Sequence, residues 1–267
     1  MNASAPVVVL HQDGPVLHLT LNRPAQRNAM SLQMVRELRA ALQAAEHDAA
    51  TRVVVLRGAG GHFCAGGDIA DMAAARARLA AEPDALARTN AEFGELCLAY
   101  ACTGLAVVVV AEGTVMGGGF GLACVADVAI AVDGAQFRLP ETSLGLVPAQ
   151  IAPFLVERLG YSEAKRLALG GERLDARAAL ALRLVHEACA PDQLEATLAR
   201  VLRGLLQAAP AAVAATKALL ARARWEPAAG LVPEAAALFS QAALGPEGAE
   251  GTLAFLQKRP ARWMPQG

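Results

Sequence analysis

Two apolar runs, Val53-Val54-Val55-Leu56 and Ala106-Val107-Val108-Val109-Val110-Ala111, each lead into a cluster of glycines. Runs this short and this uniformly apolar fit strands buried on both faces, as in parallel sheets covered by helices. Gly58, Gly60 and Gly61 follow the first run, with Gly66 and Gly67 close behind, and Gly117-Gly118-Gly119 follows the second. Glycines at such places permit tight reversals and let the backbone approach a neighbour closely. A chain punctuated in this way repeats a strand–turn–helix unit, so the fold class it implies is α/β.

Other segments extend the pattern. Residues 7–21 alternate around Gln12-Asp13-Gly14-Pro15 and predict a hairpin. Ser31 stands as an N-cap before apolar Leu32, Val35, Leu38 and Leu42, and Asp68 as the cap of a short helix reaching Met72. Residues 73–83 read as a surface segment and 84–102 as a helix. Strands are expected at 128–132, 135–139 and 184–188, and helices at 154–159, 163–169 and 176–182. Beyond Pro191 the apolar periodicity is helical. Residues 1–197 are therefore expected to form a layered core and 198–267 a helical C-terminal domain.

Composition removes several function classes. Hydrophobic residues make up 55% and charged residues 18%, which excludes an intrinsically disordered chain. The longest strongly apolar run, 105–111, stops at Glu112, far short of the ~20 residues a membrane span requires. Residues 1–10 lack a basic or Arg-rich targeting pattern, and Pro265-Gln266-Gly267 is not a peroxisomal address. A cytoplasmic protein with no membrane partner is the expectation. With 24 basic against 25 acidic side chains, a net charge of −1 argues against nucleic acid as a partner. A phosphorylated small ligand needs only a few local cations. The five cysteines, Cys64, Cys97, Cys102, Cys124 and Cys189, include no C-x-x-C pair, so reduced, mostly buried thiols fit better than disulfides or zinc. No metal site is expected.

Three stretches carry candidate chemistry: His62-Phe63-Cys64-Ala65-Gly66-Gly67-Asp68-Ile69, the triple glycine, and Leu139-Pro140-Glu141. Two glycine turns beside buried strands can aim a pair of N–H donors at one oxygen, the arrangement required where an oxyanion forms. Simple tight-turn geometry is the alternative for either turn taken alone. Phosphate loops match less well: Gly-Lys-Ser/Thr is missing, and Leu122 stands where G-x-G-x-x-G needs its last glycine. A Gly-x-Ser-x-Gly nucleophile turn is missing as well.

These stretches, together with Leu21-Asn22-Arg23-Pro24, Asn28-Ala29-Met30 and Leu144-Gly145, resemble the crotonase (enoyl-CoA hydratase/isomerase) superfamily. The resemblance runs in order to Phe255-Leu256-Gln257-Lys258-Arg259. It implies a spiral of ββα units followed by a helical C-terminal trimerisation part, giving a homotrimer or a dimer of trimers. It also implies an acyl-CoA thioester as substrate, with coenzyme A part of that substrate and no separate cofactor. By position, the oxyanion donors would be the amides of Gly67 and Gly118. Ala65, Asp68 and Ile69 would hold the adenine end, Arg27 and Ala29 would follow the pantetheine and phosphates, and Phe255 and Lys258 would reach CoA, sometimes across a subunit contact. For Asp68 an N-cap role explains the residue equally well. His62 reads as a base or, preferably, as a surface-loop side chain facing CoA phosphate or solvent.

The best-known hydratases of this superfamily use two glutamates. Here the later one is present as Glu141, whereas Gly121 occupies the earlier position. Glycine transfers no proton, so either Glu141 alone serves water addition across C2=C3, or it shuttles a proton between C4 and C2 as in a Δ3,Δ2-enoyl-CoA isomerase. Pairing of Glu141 with an arginine is the non-catalytic alternative, and a CoA-binding scaffold without activity the alternative from another function class. The segment Leu146-Val147-Pro148-Ala149-Gln150-Ile151-Ala152-Pro153-Phe154 resembles that of hydratases acting on branched glutaconyl-CoA thioesters. On that reading Gly121 leaves room for the branch carboxylate, with Arg138 and Gln150 as its candidate partners.

Overall fold

A computed structural model describes residues 6–264. The first residues of the stretch inspected for targeting and the tripeptide Pro265-Gln266-Gly267 lie outside the described residues. The hairpin forms as antiparallel β1 (Val8–Asp13) and β2 (Val16–Leu21), with Val8 opposite Leu21. In α1 (Leu32–His47) the Ser31 side chain accepts from the Met34 N–H, and Met34, Val35, Leu38 and Leu42 are buried. Next come β3 (Val53–Gly58), α2 (Ile69–Ala77), α3 (Ala85–Cys102), β4 (Ala106–Ala111), β5 (Thr114–Met116) and α4 (Gly118–Val125). Then follow β6 (Val128–Val132), β7 (Gln136–Arg138), α5 (Ala152–Gly170), β8 (Leu174–Asp175), α6 (Ala176–Ala181) and β9 (Glu187–Cys189). Helices α7 (Leu194–Leu206), α8 (Pro210–Ala223), α9 (Ala228–Leu244) and α10 (Pro246–Leu256) complete the described chain.

One sheet has the order β1-β2-β3-β4-β6-β9 and is parallel from β2 onward. Alternate residues of its central strands serve two cores. Val54, Leu56, Val107 and Val109 pack with Leu38 of α1 and Leu96 and Tyr100 of α3. Val53, Val55, Val108 and Val110 face the opposite way, against Leu194, Leu198 and Leu206 of α7. Burial on both faces is why these strands read as unbroken apolar runs.

A smaller sheet, β5-β7-β8, lies beside the first in the winding. Each long strand is followed by a short piece of this second layer and then by a helix: β4–β5–α4, and β6–β7–α5. One turn earlier the same role falls to β3, Cys64 and α2, with Cys64 paired in parallel with Val115. Since Val115 also pairs with Phe137, three successive turns are level at Cys64, Val115 and Phe137. The expected ββα spiral is the observed one.

Several boundaries are corrected. The helices expected at 154–159 and 163–169 both form, as two helical pieces of α5 that break at Gly160, where φ is 73° and ψ 159°. α2 continues past the expected end at Met72 to Ala77, into the stretch 73–83 read as a surface segment. The strand expected at 184–188 shifts to β9, because the Leu184 and Val185 N–H groups are used on Ala179 O to close α6. A domain boundary after residue 197 would cut α7, whose Leu194, Leu198 and Leu206 belong to the core beneath the sheet. The outlying helices are α8, α9 and α10. Arg52, at the start of β3, donates to the carbonyls of Leu206, Ala208 and Trp263. Trp263 in turn lies against Gly251 of α10, where an added Cβ would be 3.0 Å from its ring. The C-terminal helices are thus tied to the end of β3 opposite its glycine turn. Among the described residues no single helix is long and apolar enough to cross a membrane.

Candidate active site

Residues 22–30 form a sharp turn in which Arg27 and Asn28 have φ of 48° and 58°. Asn tolerates this left-handed region better than most residues. Asn28 is fully buried and its polar atoms are all used. Its Oδ1 accepts from the Arg23 N–H at 2.9 Å, while Nδ2 donates to Ala59 O at 2.9 Å and His62 O at 2.6 Å. One side chain therefore joins this turn to the turn after β3. The next loop is attached through the backbone: Ala65 N–H donates to Arg27 O, Met30 N–H to Gly66 O at 2.7 Å, and Asp68 N–H to Met30 O at 3.0 Å. Gly67 sits between two peptide groups fixed on Met30. Its own N–H meets no acceptor among the described residues and the residue is exposed.

Gly118 opens α4, so its N–H has no partner one helical turn earlier. The two glycine turns touch. A Cβ added to Gly117 (φ 49°) would stand 3.3 Å from Gly66 Cα and 4.0 Å from Gly67 N, and one added to Gly119 would be 2.7 Å from Cys64 Cβ. Larger residues would force the loops apart.

Glu141 follows β7, at the start of a 3-10 turn. Its Oε1 is 3.1 Å from the point a Gly117 Cβ would occupy, so the carboxyl lies over the meeting of the two glycine turns. Its Oε2 is buried without a hydrogen-bond partner among the described residues. Burial pushes the Glu141 carboxyl above its ordinary range, with only its own backbone N–H pulling the other way. The arginine pairing weighed above is therefore not what holds this side chain. An ionisable group in such surroundings is suited to proton transfer.

Gly121 does not provide open space. A Cβ there would be 2.3 Å from Ile151 Cγ2 and 3.6 Å from Phe93 Cζ, so any side chain at this position would start into space already held by apolar groups. That corrects the expectation of room for a branch. Its candidate polar partners are also engaged: Arg138 Nε donates to Gly171 O at 2.9 Å, and Gln150 Nε2 to Asn90 Oδ1 at 2.8 Å.

Asp68 caps α2, accepting from the Ala70 N–H at 2.7 Å, and also pairs with Arg23 at 2.6 Å. Arg27 and Ile69 are exposed near the loops, with Ala29 and Ala65 half-buried beside them. His62 Nδ1 accepts from the Thr114 N–H at 3.1 Å, a structural bond that occupies this nitrogen. Phe255 and Lys258 are exposed, at the end of α10 and just after it, and α10 is tied through Trp263 and Arg52 to the end of β3 opposite its glycine turn. Asn28, Arg23 and Phe93 were given no role from sequence; an asparagine in a turn was the only local signal available for Asn28.

The family model for Enoyl-CoA hydratase/isomerase matches residues 11–266. The chain is 32% identical over 260 residues to 2,3-dehydroadipyl-CoA hydratase of Escherichia coli (strain K12), covering 94% of this chain and 96% of that protein. Among solved structures, an enoyl-CoA hydratase/isomerase from Marinobacter aquaeolei superposes with a TM-score of 0.93 at 49% identity, covering 98% of this chain and 100% of that one. Pseudomonas aeruginosa AtuE gives 0.94 at 53%, covering 97% and 100%. With its strand–strand–helix spiral and its paired glycine turns, the chain belongs to the enoyl-CoA hydratase/isomerase family, the crotonase superfamily of enzymes.

Proposed function

We propose that this protein is a hydratase-type lyase that adds water across the C2=C3 bond of an enoyl-CoA thioester. The observation that carries the proposal is the half-buried Glu141 carboxyl, its Oε2 buried without a partner among the described residues and its Oε1 placed where the two glycine turns meet. In this reading the thioester oxygen sits between the Gly67 and Gly118 amides, each worth on the order of 3 kcal/mol to the developing enolate. Glu141 takes a proton from the water attacking C3, and it or a second water returns a proton to C2. Arg27, Ala29, Ala65, Asp68 and Ile69 line the approach for the CoA portion.

One observation favours a second reading. Ile151 occupies the space at position 121 where a second acid would start, which leaves a site with a single base, sufficient for moving a double bond from C3=C4 to C2=C3 by carrying a proton between C2 and C4. A branched glutaconyl thioester retains the support of the segment 146–154 alone. Phe255 and Lys258 would reach CoA from the C-terminal helix, across a contact with another copy of the chain. A homotrimer or dimer of trimers would supply that copy and cover Phe239, Leu244 and Leu256 as well, all more than 70% exposed in one chain.

The test is a panel of crotonyl-CoA, 3-methylglutaconyl-CoA and 3-enoyl-CoA incubated in D₂O. Deuterium at C2 together with added water is the expected result. Label exchange with a shifted double bond selects the isomerase, and no turnover selects a scaffold. Crotonyl-CoA turnover equal to or better than that of the branched substrate removes the branched reading.

A further inference from the structure

Arg23 Nη1 lies 2.6 Å from Asp68 Oδ2 and donates to Ala29 O at 2.6 Å. The Ala29 carbonyl and the Met30 N–H belong to one peptide group, and that N–H donates to Gly66 O. The Gly66 carbonyl and the Gly67 N–H are again one peptide group. A continuous chain thus runs from the guanidinium through two peptide groups to the free Gly67 amide. We propose that Arg23 is a positioning residue for that amide, with Asp68 holding Arg23 in place: the cation polarises two successive peptides and fixes the direction in which the Gly67 N–H points.

This deepens the reading of Gly67 as an oxyanion donor and rests on it. Hydrogen bonds in series strengthen one another, by roughly 10–30% per bond, and do so most where water is scarce. The Arg23 and Asp68 side chains are 21% and 12% exposed, so their charges are only partly screened. The Asp68 N–H on Met30 O closes the far side of Gly67, so rotation of the peptide between Gly66 and Gly67 would break bonds at both ends. Such a chain acts only on the donor that meets the developing charge. Its loss belongs in the chemical step rather than in ground-state affinity.

The test compares wild type with Arg23→Gln, Arg23→Lys and Asp68→Asn. Asparagine is a good N-cap, so Asp68→Asn keeps the start of α2 and removes only the charge. The probe is butyryl-CoA carrying ¹³C at its thioester carbonyl, which lacks the double bond needed for turnover. Its carbonyl stretch in difference infrared spectra reports the strength of the hole, and its Kd reports binding. In wild type the stretch moves to lower frequency on binding. Arg23→Gln and Asp68→Asn should lose part of that shift and about 10-fold in kcat, and in Arg23→Gln, where the altered residue lies outside the CoA approach, Kd should stay within about twofold. Arg23→Lys, still cationic, should recover part of both. Wild-type spectra and kcat in Arg23→Gln and Asp68→Asn, or a loss confined to thermal stability, overturn the proposal. A wild type that binds the probe without any shift overturns the oxyanion reading itself, and the proposal with it.

Discussion

Ile151 Cγ2 lies 2.3 Å from the point where a Cβ on Gly121 would stand, so the two residues claim one space. Restoring a glutamate at position 121 alone should therefore not create a second acid. Gly121→Glu is expected to lose about 1–3 kcal/mol of stability through overpacking. Ile151→Ala should lose about 2–4 kcal/mol through the cavity it leaves. The double variant should be less destabilised than the sum by about 1 kcal/mol or more, because each change relieves the other. Urea unfolding of the four proteins measures this, and strictly additive losses would show that the sites do not share space.

Glu141→Gln should lower kcat at least ~100-fold with thioester binding largely kept. Wild-type turnover should itself fall as pH drops through the raised pKa of Glu141, where the base becomes protonated. The same substitution should alter stability in the opposite sense. Folding favours the protonated carboxyl, so a penalty for its ionised form grows as pH rises from the ordinary value of 4.5 through the raised one. Glutamine carries no such penalty. Thermal unfolding across pH should find Glu141→Gln more stable than wild type at neutral pH and above, with the gain gone below pH 4.5.

Asn28→Ala should cost about 3 kcal/mol or more. It strands the Arg23 N–H and the Ala59 and His62 carbonyls in a buried site and places a Cβ residue without a side-chain bond at φ 58°. Activity should fall further than Arg23 substitutions alone predict, since Asn28 fixes the turn on which Arg23 and Met30 are carried. Denaturant unfolding and kcat measured on the same preparation separate the two effects.

Burial pushes the Cys64 thiol up to about 11 and Cys124 to about 12, and drives Cys97 in the same direction. Cys102 is exposed. Alkylation at pH 8 followed by peptide mass spectrometry should find Cys102 modified first and Cys64 only on unfolding. Early labelling of Cys64, which lies beneath Gly119, would mean that the two glycine turns part in the native protein.

Features written in contiguous residues were legible in the sequence. Ser31 and Asp68 were recognised as caps because capping is decided within a few residues. The long strands were readable because burial on both faces leaves an unbroken apolar run. β5 and β8, three and two residues long, carry too little pattern to be seen. The filling of Gly121 was hidden for another reason: Ile151 is 30 residues away in sequence and only the arrival of α5 places it there. Arg23 and Asp68 are likewise distant in sequence, so their pairing follows from the winding rather than from any local signal. Gly67, Gly118 and Glu141 were found through the resemblance, whereas the geometry that joins them required the fold.

Cys64, Val115 and Phe137 are level in the small sheet, and Gly67 and Gly118 each lie three residues beyond their partner in that row, with Glu141 four beyond Phe137. Equivalent steps of three successive windings thus deliver the three groups, much as a thread brings the same point of each coil to one side of a screw. The chain between coils is free to change length, since alignment is set by the row and not by the path around it. Insertions near residues 78–84 should leave the three groups in place while reshaping what surrounds them. A fold built in this way can exchange the molecules it accepts without rebuilding the point at which they react.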